Sequence, residues 1–238
     1  MSAKLTNQEI YERVYAAIGE RRLPPGTKLS EERLAQVFQA SRTRIREVLL
    51  RLAQELIVET RPNRGAFVAS PTAEDTRHVF AVRRALERAI VGELCAKFAG
   101  QPVATLRAHL DAEAGARASG NRTELARLTG EFHAILAAAT GNRIFAEDMR
   151  RLVALTSLII AQYESHDNGA CAEHEHHDIV KAIEAGDARR AERLMLQHLE
   201  HVESAIHVST ADTAEVNFER IFGVDEVDPP KARRAGRS

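Results

Sequence analysis

Apolar residues recur every three or four positions along most of the chain, which is the spacing of one face of an α-helix. The first such segment runs from Thr6, a candidate cap, to Glu20, and a Leu-Pro-Pro-Gly turn follows it at residues 23–26. A second, short helix is predicted after Ser30 and a third after Ser41. The third helix places a compact apolar face at Ile45, Val48, Leu49 and Leu52.

The pattern changes after the third helix. Residues 57–60 and 66–69 are short β-prone runs, and the sequence Arg-Pro-Asn-Arg-Gly at residues 61–65 predicts a tight turn between them. Three helices followed by a hairpin is the order of elements in a winged helix-turn-helix domain. We therefore assign residues 1–70 to such a domain.

Helical spacing resumes at residue 73. Glycine, proline and asparagine divide the next part of the chain into six candidate helices, at residues 73–99, 102–118, 122–140, 143–164, 171–185 and 187–208. Their short connections favour an antiparallel bundle over residues 71–210, so the predicted fold class is mainly α. In the tail, residues 211–238, one last short docking turn is predicted from the apolar residues Val216, Phe218, Ile221 and Phe222.

The balance of charged residues changes at the same boundary, near residue 70. Residues 1–70 hold 12 Lys and Arg against 8 Asp and Glu, whereas residues 71–238 hold 21 against 26. A basic segment on an acidic body suits a nucleic-acid-binding module. Because no apolar run is long enough to cross a bilayer and the N-terminus lacks a signal-peptide core, we expect a cytoplasmic protein without a membrane partner.

The third helix carries candidate DNA-binding residues beside its apolar face. Arg42, Thr43 and Arg46 lie together near the helix start, where a recognition helix meets base edges. Arginine can form two hydrogen bonds with guanine, and serine or threonine can hydrogen-bond to a phosphate. Arg61 and Arg64 in the hairpin turn are placed to reach the DNA backbone or a minor groove. The alternative for the helix alone is an exposed face of salt bridges.

Three of the ten histidines lie on or beside apolar stripes of three different helices: His133, His176 and His198. Inward imidazoles from three helices are able to share one divalent metal ion. The alternative for each is a core histidine that is satisfied by hydrogen bonding. The run from His174 to Asp178 does not have the HExxH spacing of zinc proteases, and most of it is expected at the surface.

Residues 6–70 resemble the winged helix-turn-helix domain of GntR-superfamily transcription regulators, above all through LPPGTKLSEERLAQVFQASRTRIREVLLRLAQELIVETRPNRGAFV. The resemblance implies contacts with double-stranded DNA from Ser41, Arg42, Thr43 and Arg46, with Gly65 at the wing tip. Arg44 and Arg64 are added to this predicted surface because they bring charge to the helix start and the wing. Arg44 stands where the family often has proline, and Glu32 stands where some members have a basic residue that contacts DNA.

The bundle resembles the ligand-sensing C-terminal domain of the FadR subgroup, called FCD. The matching pieces are VRRALE at 82–87, EFHAIL at 131–136 with the following GN, EHHDIVKAIEAGD at 175–187 and MLQHL at 195–199. Many members hold a divalent metal through an Asp or Asn, the histidine four residues after it, and two further histidines. Carried over, the ligands are His133, His176 and His198, the ion is Zn, Ni or similar, and Thr129 stands at the carboxylate position.

Arg83 belongs to the same resemblance. In these domains an arginine at its position often faces the cavity, where a guanidinium beside a metal suits a carboxylate effector. The alternative is an ion pair within the helix, between Arg83 and Glu87 four residues later.

These features together predict a repressor that binds a palindromic operator as a homodimer and responds to a small organic acid. An alternative of another class is a metal-dependent hydrolase that uses the histidine cluster, with Glu175 as general base. A third is a helical scaffold whose basic arm has no partner.

Overall fold

The structure is a computed structural model that describes residues 5–101, 103–163, 174–206 and 217–223. The predicted break at residues 167–169, the predicted helix start at 171 and the tail beyond Gly223 lie outside the described residues. The described part is mainly helical, as predicted, with one small sheet near the N-terminus.

Three helices begin the chain, and each starts at its predicted cap. The hydroxyls of Thr6, Ser30 and Ser41 accept hydrogen bonds from the backbone three residues later, which satisfies an N–H group that the first turn leaves unpaired. All four predicted apolar residues of the third helix are buried in the shared core. The helices are α1 (Asn7–Gly19), α2 (Glu31–Val37) and α3 (Arg42–Gln54).

An antiparallel three-stranded sheet completes this N-terminal unit. It consists of β1 (Lys28–Leu29), β2 (Val58–Arg61) and β3 (Gly65–Val68), in the order β1-β3-β2. The predicted hairpin is confirmed, each strand being displaced by one residue, and Arg61 pairs with Gly65 across its turn. β1 was not predicted because two residues are too short to show an alternating pattern.

Six further helices form a bundle. They are α4 (Ala73–Phe98), α5 (Ala104–Ala118), α6 (Arg122–Thr140), α7 (Arg143–Tyr163), α8 (Glu175–Glu184) and α9 (Ala188–Ser204). Thr72 and Asp75 form a capping box at the start of α4, which packs against α6, α7, α8 and α9. The prediction for α9 was too long, since the helix ends at Ser204 and not at 208.

The predicted docking turn in the tail is confirmed from Phe218 on as a short helix, α10 (Phe218–Phe222), which packs against α2; Val216 lies outside the described residues. The N-terminal unit also contacts the bundle through α1 and α7, where the Tyr15 hydroxyl donates to the Arg150 carbonyl at 2.5 Å. The Arg150 guanidinium lies 4.6 Å from the centre of the Tyr15 ring and pairs with Glu12. Among the described helices, none combines the length and apolarity that crossing a bilayer requires.

Candidate functional site

Three helices of the bundle bring three buried histidines together. His133 on α6, His176 on α8 and His198 on α9 are each 4% exposed or less. The Nε2 atom of His198 lies 3.3 Å from Nε2 of His133 and 3.4 Å from Nε2 of His176. One ligand atom from each ring lies within 4.8 Å of the other two, which is a spacing that a single metal ion can bridge. The predicted inward placement of the three rings is therefore confirmed.

A glutamate lies behind each of the three rings, on the Nδ1 side. The Nδ1-to-carboxylate distances are 2.5 Å for His133 and Glu87, 3.0 Å for His176 and Glu113, and 2.8 Å for His198 and Glu175. An ionised carboxylate only accepts hydrogen bonds, so each Nδ1 carries a proton and donates it. A ring protonated only on Nδ1 has its lone pair on Nε2, the atom that faces the other histidines.

The charges of the cluster follow from this arrangement. Burial lowers the pKa of His133 to about 3 and also lowers the pKa of His176. Burial raises the pKa of Glu87, but Arg83 and His133 outweigh it and lower that pKa to about 2. Hydrogen-bonded histidines likewise overcome burial and lower the pKa of Glu113 and of Glu175 to about 2. Imidazole nitrogens whose rings are backed by ionised carboxylates are a donor set prepared for a cation.

The three glutamates were not predicted as partners of the histidines. A signal for one of them exists in the sequence, because Glu113 falls on the apolar stripe of α5 with Leu106, His109 and Leu110. Nε2 of His109 donates to the Leu128 carbonyl at 2.9 Å and lies 3.3 Å from Oε1 of Glu113, so a second histidine contacts this carboxylate.

Thr129, the residue at the family's carboxylate position, lies one turn before His133 on α6. Its hydroxyl donates to the Ala126 carbonyl of its own helix at 3.2 Å and is partly exposed. In this arrangement the hydroxyl is engaged with the helix backbone, and the ring nitrogens are the candidate ligand atoms.

Arg83 is buried next to the cluster, with 2% of its surface exposed. Its Nε donates to Glu87 at 2.8 Å, which is the predicted ion pair, and its Nη1 donates to the Thr156 hydroxyl at 3.2 Å. Its Nη2 is buried without a hydrogen-bond partner among the described residues. The predicted ion pair with Glu87 is therefore confirmed, whereas contact of Arg83 with an effector stays a prediction.

Glu175, the general base of the hydrolase alternative, has both oxygens engaged by histidine rings. One accepts from Nδ1 of His198 and the other from Nδ1 of His201. The carboxylate thus acts on the outer side of the ring, away from the Nε2 atoms where a metal would bind.

The predicted DNA-binding residues form two exposed groups. The first group, at the start of α3, consists of Ser41, Arg42, Thr43 and Arg46. The second consists of Arg64 in the turn between β2 and β3 and of Gly65, the first residue of β3. Arg61 beside them lies with its guanidinium 4.2 Å from the centre of the Phe67 ring and pairs with Glu59.

Glu31 on α2 holds the two arginines of α3. Arg46 donates to it through Nε at 2.9 Å and Nη2 at 2.8 Å, and Arg42 lies 3.7 Å away. This pair was not predicted, because it depends on how two helices cross. It positions Arg46 near the helix start while the chain is free of DNA.

Arg44 has a different environment from its neighbours. It is half-buried, its Nε donates to the Asn7 side chain at 2.6 Å, and its Nη2 donates to the Leu5 carbonyl. In the DNA-free chain these hydrogen bonds of the Arg44 guanidinium hold the start of α1 against α3.

Comparisons with known proteins agree with this architecture. Residues 6–68 match the profile of bacterial regulatory proteins of the gntR family, and residues 78–201 match the FCD domain. The chain is 26% identical over 203 residues to the HTH-type transcriptional repressor RspR of Escherichia coli, covering 84% of this chain and 88% of RspR. It is 31% identical over 130 residues to the Nta operon transcriptional regulator of Aminobacter aminovorans, covering 54% and 60%.

Solved structures show the same fold. A GntR regulator from Rhodococcus sp. RHA1 superposes with a TM-score of 0.74 at 26% identity, covering 83% of this chain and 95% of that one. Escherichia coli McbR/YncC superposes with a TM-score of 0.71 at 18% identity, covering 84% and 95%. The chain therefore belongs to the GntR family of transcription regulators, with an N-terminal DNA-binding domain and a C-terminal FCD domain.

Proposed function

We propose that this regulator is a repressor that binds a palindromic operator as a homodimer, and that a small carboxylate controls this binding through a metal ion in the FCD domain. Such a protein works on chromosomal DNA in the cytoplasm. The observation that carries the proposal is the convergence of three Nε2 atoms within the bundle, each ring fixed by its own glutamate.

The DNA-reading surface in this proposal is the exposed start of α3 together with the wing. Ser41, Arg42, Thr43 and Arg46 approach base edges and phosphates in the major groove. Arg64 and Gly65 approach the backbone, while Arg44 contributes charge from the side of α1. Two such surfaces related by a two-fold axis fit two half-sites one helical turn apart.

The metal in this proposal is a divalent transition ion, Zn or Ni, held by His133, His176 and His198. Imidazole nitrogens suit these ions better than they suit Mg or Ca, which prefer oxygen. Because Thr129 is bound to its own helix, the three rings carry the binding without a carboxylate ligand. When bound, the ion supplies a positive charge that an anionic ligand can contact.

The effector in this proposal is a small organic acid whose carboxylate lies between the metal and Arg83. The unused Nη2 donor of Arg83 is a buried group that an anion would satisfy, and guanidinium groups pair well with carboxylates. By linkage, the acid releases DNA only if it binds the DNA-incompetent arrangement more tightly than the competent one.

Metal analysis tests this proposal. Protein purified without a histidine tag should carry about one transition-metal ion per chain, and the double variant His133→Ala, His176→Ala should lose it. His177→Ala is the matched control, since His177 is exposed on the same helix as His176. A thermal-shift screen of small organic acids, run with and without added zinc, then checks the effector. If metal-free protein bound such an acid as tightly as metal-loaded protein does, the proposal that the metal takes part in effector binding would be overturned.

A further inference from the structure

The C-terminal helix α10 lies on the DNA-binding domain, although it follows the FCD domain in the chain. Asn217 caps its start by accepting the backbone N–H of Arg220 at 2.8 Å, and Gly223 ends it. A helix of one turn has no stability of its own in water, so its packing must hold it in place. Phe218 accordingly is only 3% exposed.

The face that receives α10 is formed by α2 and by the residue that follows it. The ring of Phe222 packs on the ring of Phe38, with 4.7 Å between the centroids. Arg33 is held from two sides, since its Nη2 donates to Glu219 at 2.9 Å and its guanidinium lies 4.9 Å from the centre of the Phe218 ring. An apolar contact and a charge-assisted contact therefore come from the same short helix.

A third contact comes from the turn after α1. Arg22 donates from Nη1 to the Ile221 carbonyl at 2.7 Å. This carbonyl lies in the last turn of α10, where the helix itself offers no partner. Contacts from both α2 and the α1 turn fix α10 in one orientation.

These contacts join the two domains, because α10 follows the FCD domain in the chain and packs on the DNA-binding domain. Helix α9 carries His198 on its buried face and ends at Ser204, and the chain then reaches Asn217 on the DNA-binding domain. The linker around Ser70 and Pro71 connects the two domains covalently, and the contacts of α10 add a noncovalent connection. The DNA-binding domain is thus connected to both ends of the FCD domain, through the linker before α4 and through α10 after α9.

We propose that residues 217–223 are an intramolecular clamp that binds the Arg33–Phe38 face of the DNA-binding domain and ties it to the end of α9. Because α2 packs directly on α3, the clamp determines how firmly α3 is held for DNA. The occupant of this surface is the chain's own C-terminal segment. The inference depends on the contacts of α10 and on membership of the GntR family, and it is independent of metal or effector binding.

Hydrogen exchange of the full-length, metal-free protein tests the clamp. Phe222→Ala removes the ring that covers Phe38, so the amides of α2 should exchange about tenfold faster while those of α6 stay unchanged. Phe145→Ala is the matched control, because it removes a partly buried phenylalanine from α7. Glu219→Gln keeps the shape of α10 and should give about a two- to threefold increase, which separates loss of the clamp from a general folding defect. Unchanged exchange at α2 in Phe222→Ala would overturn the proposal.

DNA binding provides the second measurement. The probe is a duplex selected from a random library by the wild-type protein, and its affinity is followed by fluorescence anisotropy. A chain ending at residue 216 should bind about tenfold more weakly than a chain ending at residue 223, which keeps α10 and lacks the same basic tail. Equal affinities of the two chains would show that α10 has no part in presenting α3, and the proposal would fail.

Discussion

At the scale of the residue, the histidine cluster divides into a part that the sequence predicts and a part that it does not. The three histidines are predictable because each lies on an apolar stripe of its own helix. Glu87 and Glu113 are contributed by α4 and α5, and their pairing with the rings depends on how five helices meet. Periodicity along one helix carries no information about such crossings.

The buried ring of His133 makes a prediction for acid stability. Its pKa is lowered to about 3 in the folded chain from 6.5, so below pH 6.5 the unfolded chain binds a proton there that the folded chain does not. Acidification therefore destabilises the fold through this group, and lowering the pH from 7.5 to 5.5 should remove on the order of 1 kcal/mol of unfolding free energy.

The measurement is urea unfolding of metal-free protein at both pH values. The wild type is compared with His133→Gln, which cannot take up the proton, and with the exposed control His177→Gln. The difference between variants is the relevant quantity, because the pKa of His109 is raised by Glu113 and Leu128 despite burial, and that ring acts in the opposite direction. A pH dependence that His133→Gln leaves unchanged would contradict the prediction.

At the scale of the element, helix boundaries were predictable where a side chain caps them or a glycine ends them. Thr6, Ser30 and Ser41 all cap the helices that they were expected to begin, and Thr72 caps α4 in the same way. β1 and the pairing of α10 with α2 were beyond prediction, because both are fixed by tertiary contacts over two to five residues. Short elements lack a periodic signal of their own.

Two glycines that end helices allow a matched test of how the bundle is packed. Gly186 after α8 and Gly120 after α5 have φ angles of +71° and +67°, a conformation that costs other residues about 1–2 kcal/mol. A Cβ atom on Gly186 would lie 2.9 Å from Cβ of Ala99, whereas one on Gly120 would meet nothing within 4 Å. Gly186→Ala should therefore lose about 1–3 kcal/mol more unfolding free energy than Gly120→Ala in urea titrations. Equal losses would mean that the close approach of α8 to the end of α4 does not constrain the bundle.

At the scale of the whole molecule, the boundary between basic and acidic segments coincides with the boundary between the two domains. The basic residues that the sequence assigns to DNA lie on one small domain, and the FCD domain behind it is acidic. In the DNA-free chain Glu31 already holds Arg46 and lies near Arg42, so DNA phosphates must compete with a carboxylate for these groups. Binding should then depend steeply on salt, because charged contacts on both sides are screened.

Arg64 offers the sharpest test of this electrostatic picture. It is exposed in the wing turn, and each phosphate contact contributes about 0.9 to the slope of log affinity against log salt. Arg64→Ala should reduce this slope by about one per protomer and weaken the binding of selected and unrelated duplexes alike. Arg42→Ala should instead cost about 1–3 kcal/mol of binding free energy on the selected duplex and relax the sequence preference at one base position. Arg143→Ala is the control, because that side chain is 74% exposed on α7 of the FCD domain and its removal should leave the slope unchanged. Anisotropy titrations at several salt concentrations separate these outcomes, and a slope unaffected by Arg64→Ala would remove the wing from the DNA-binding surface.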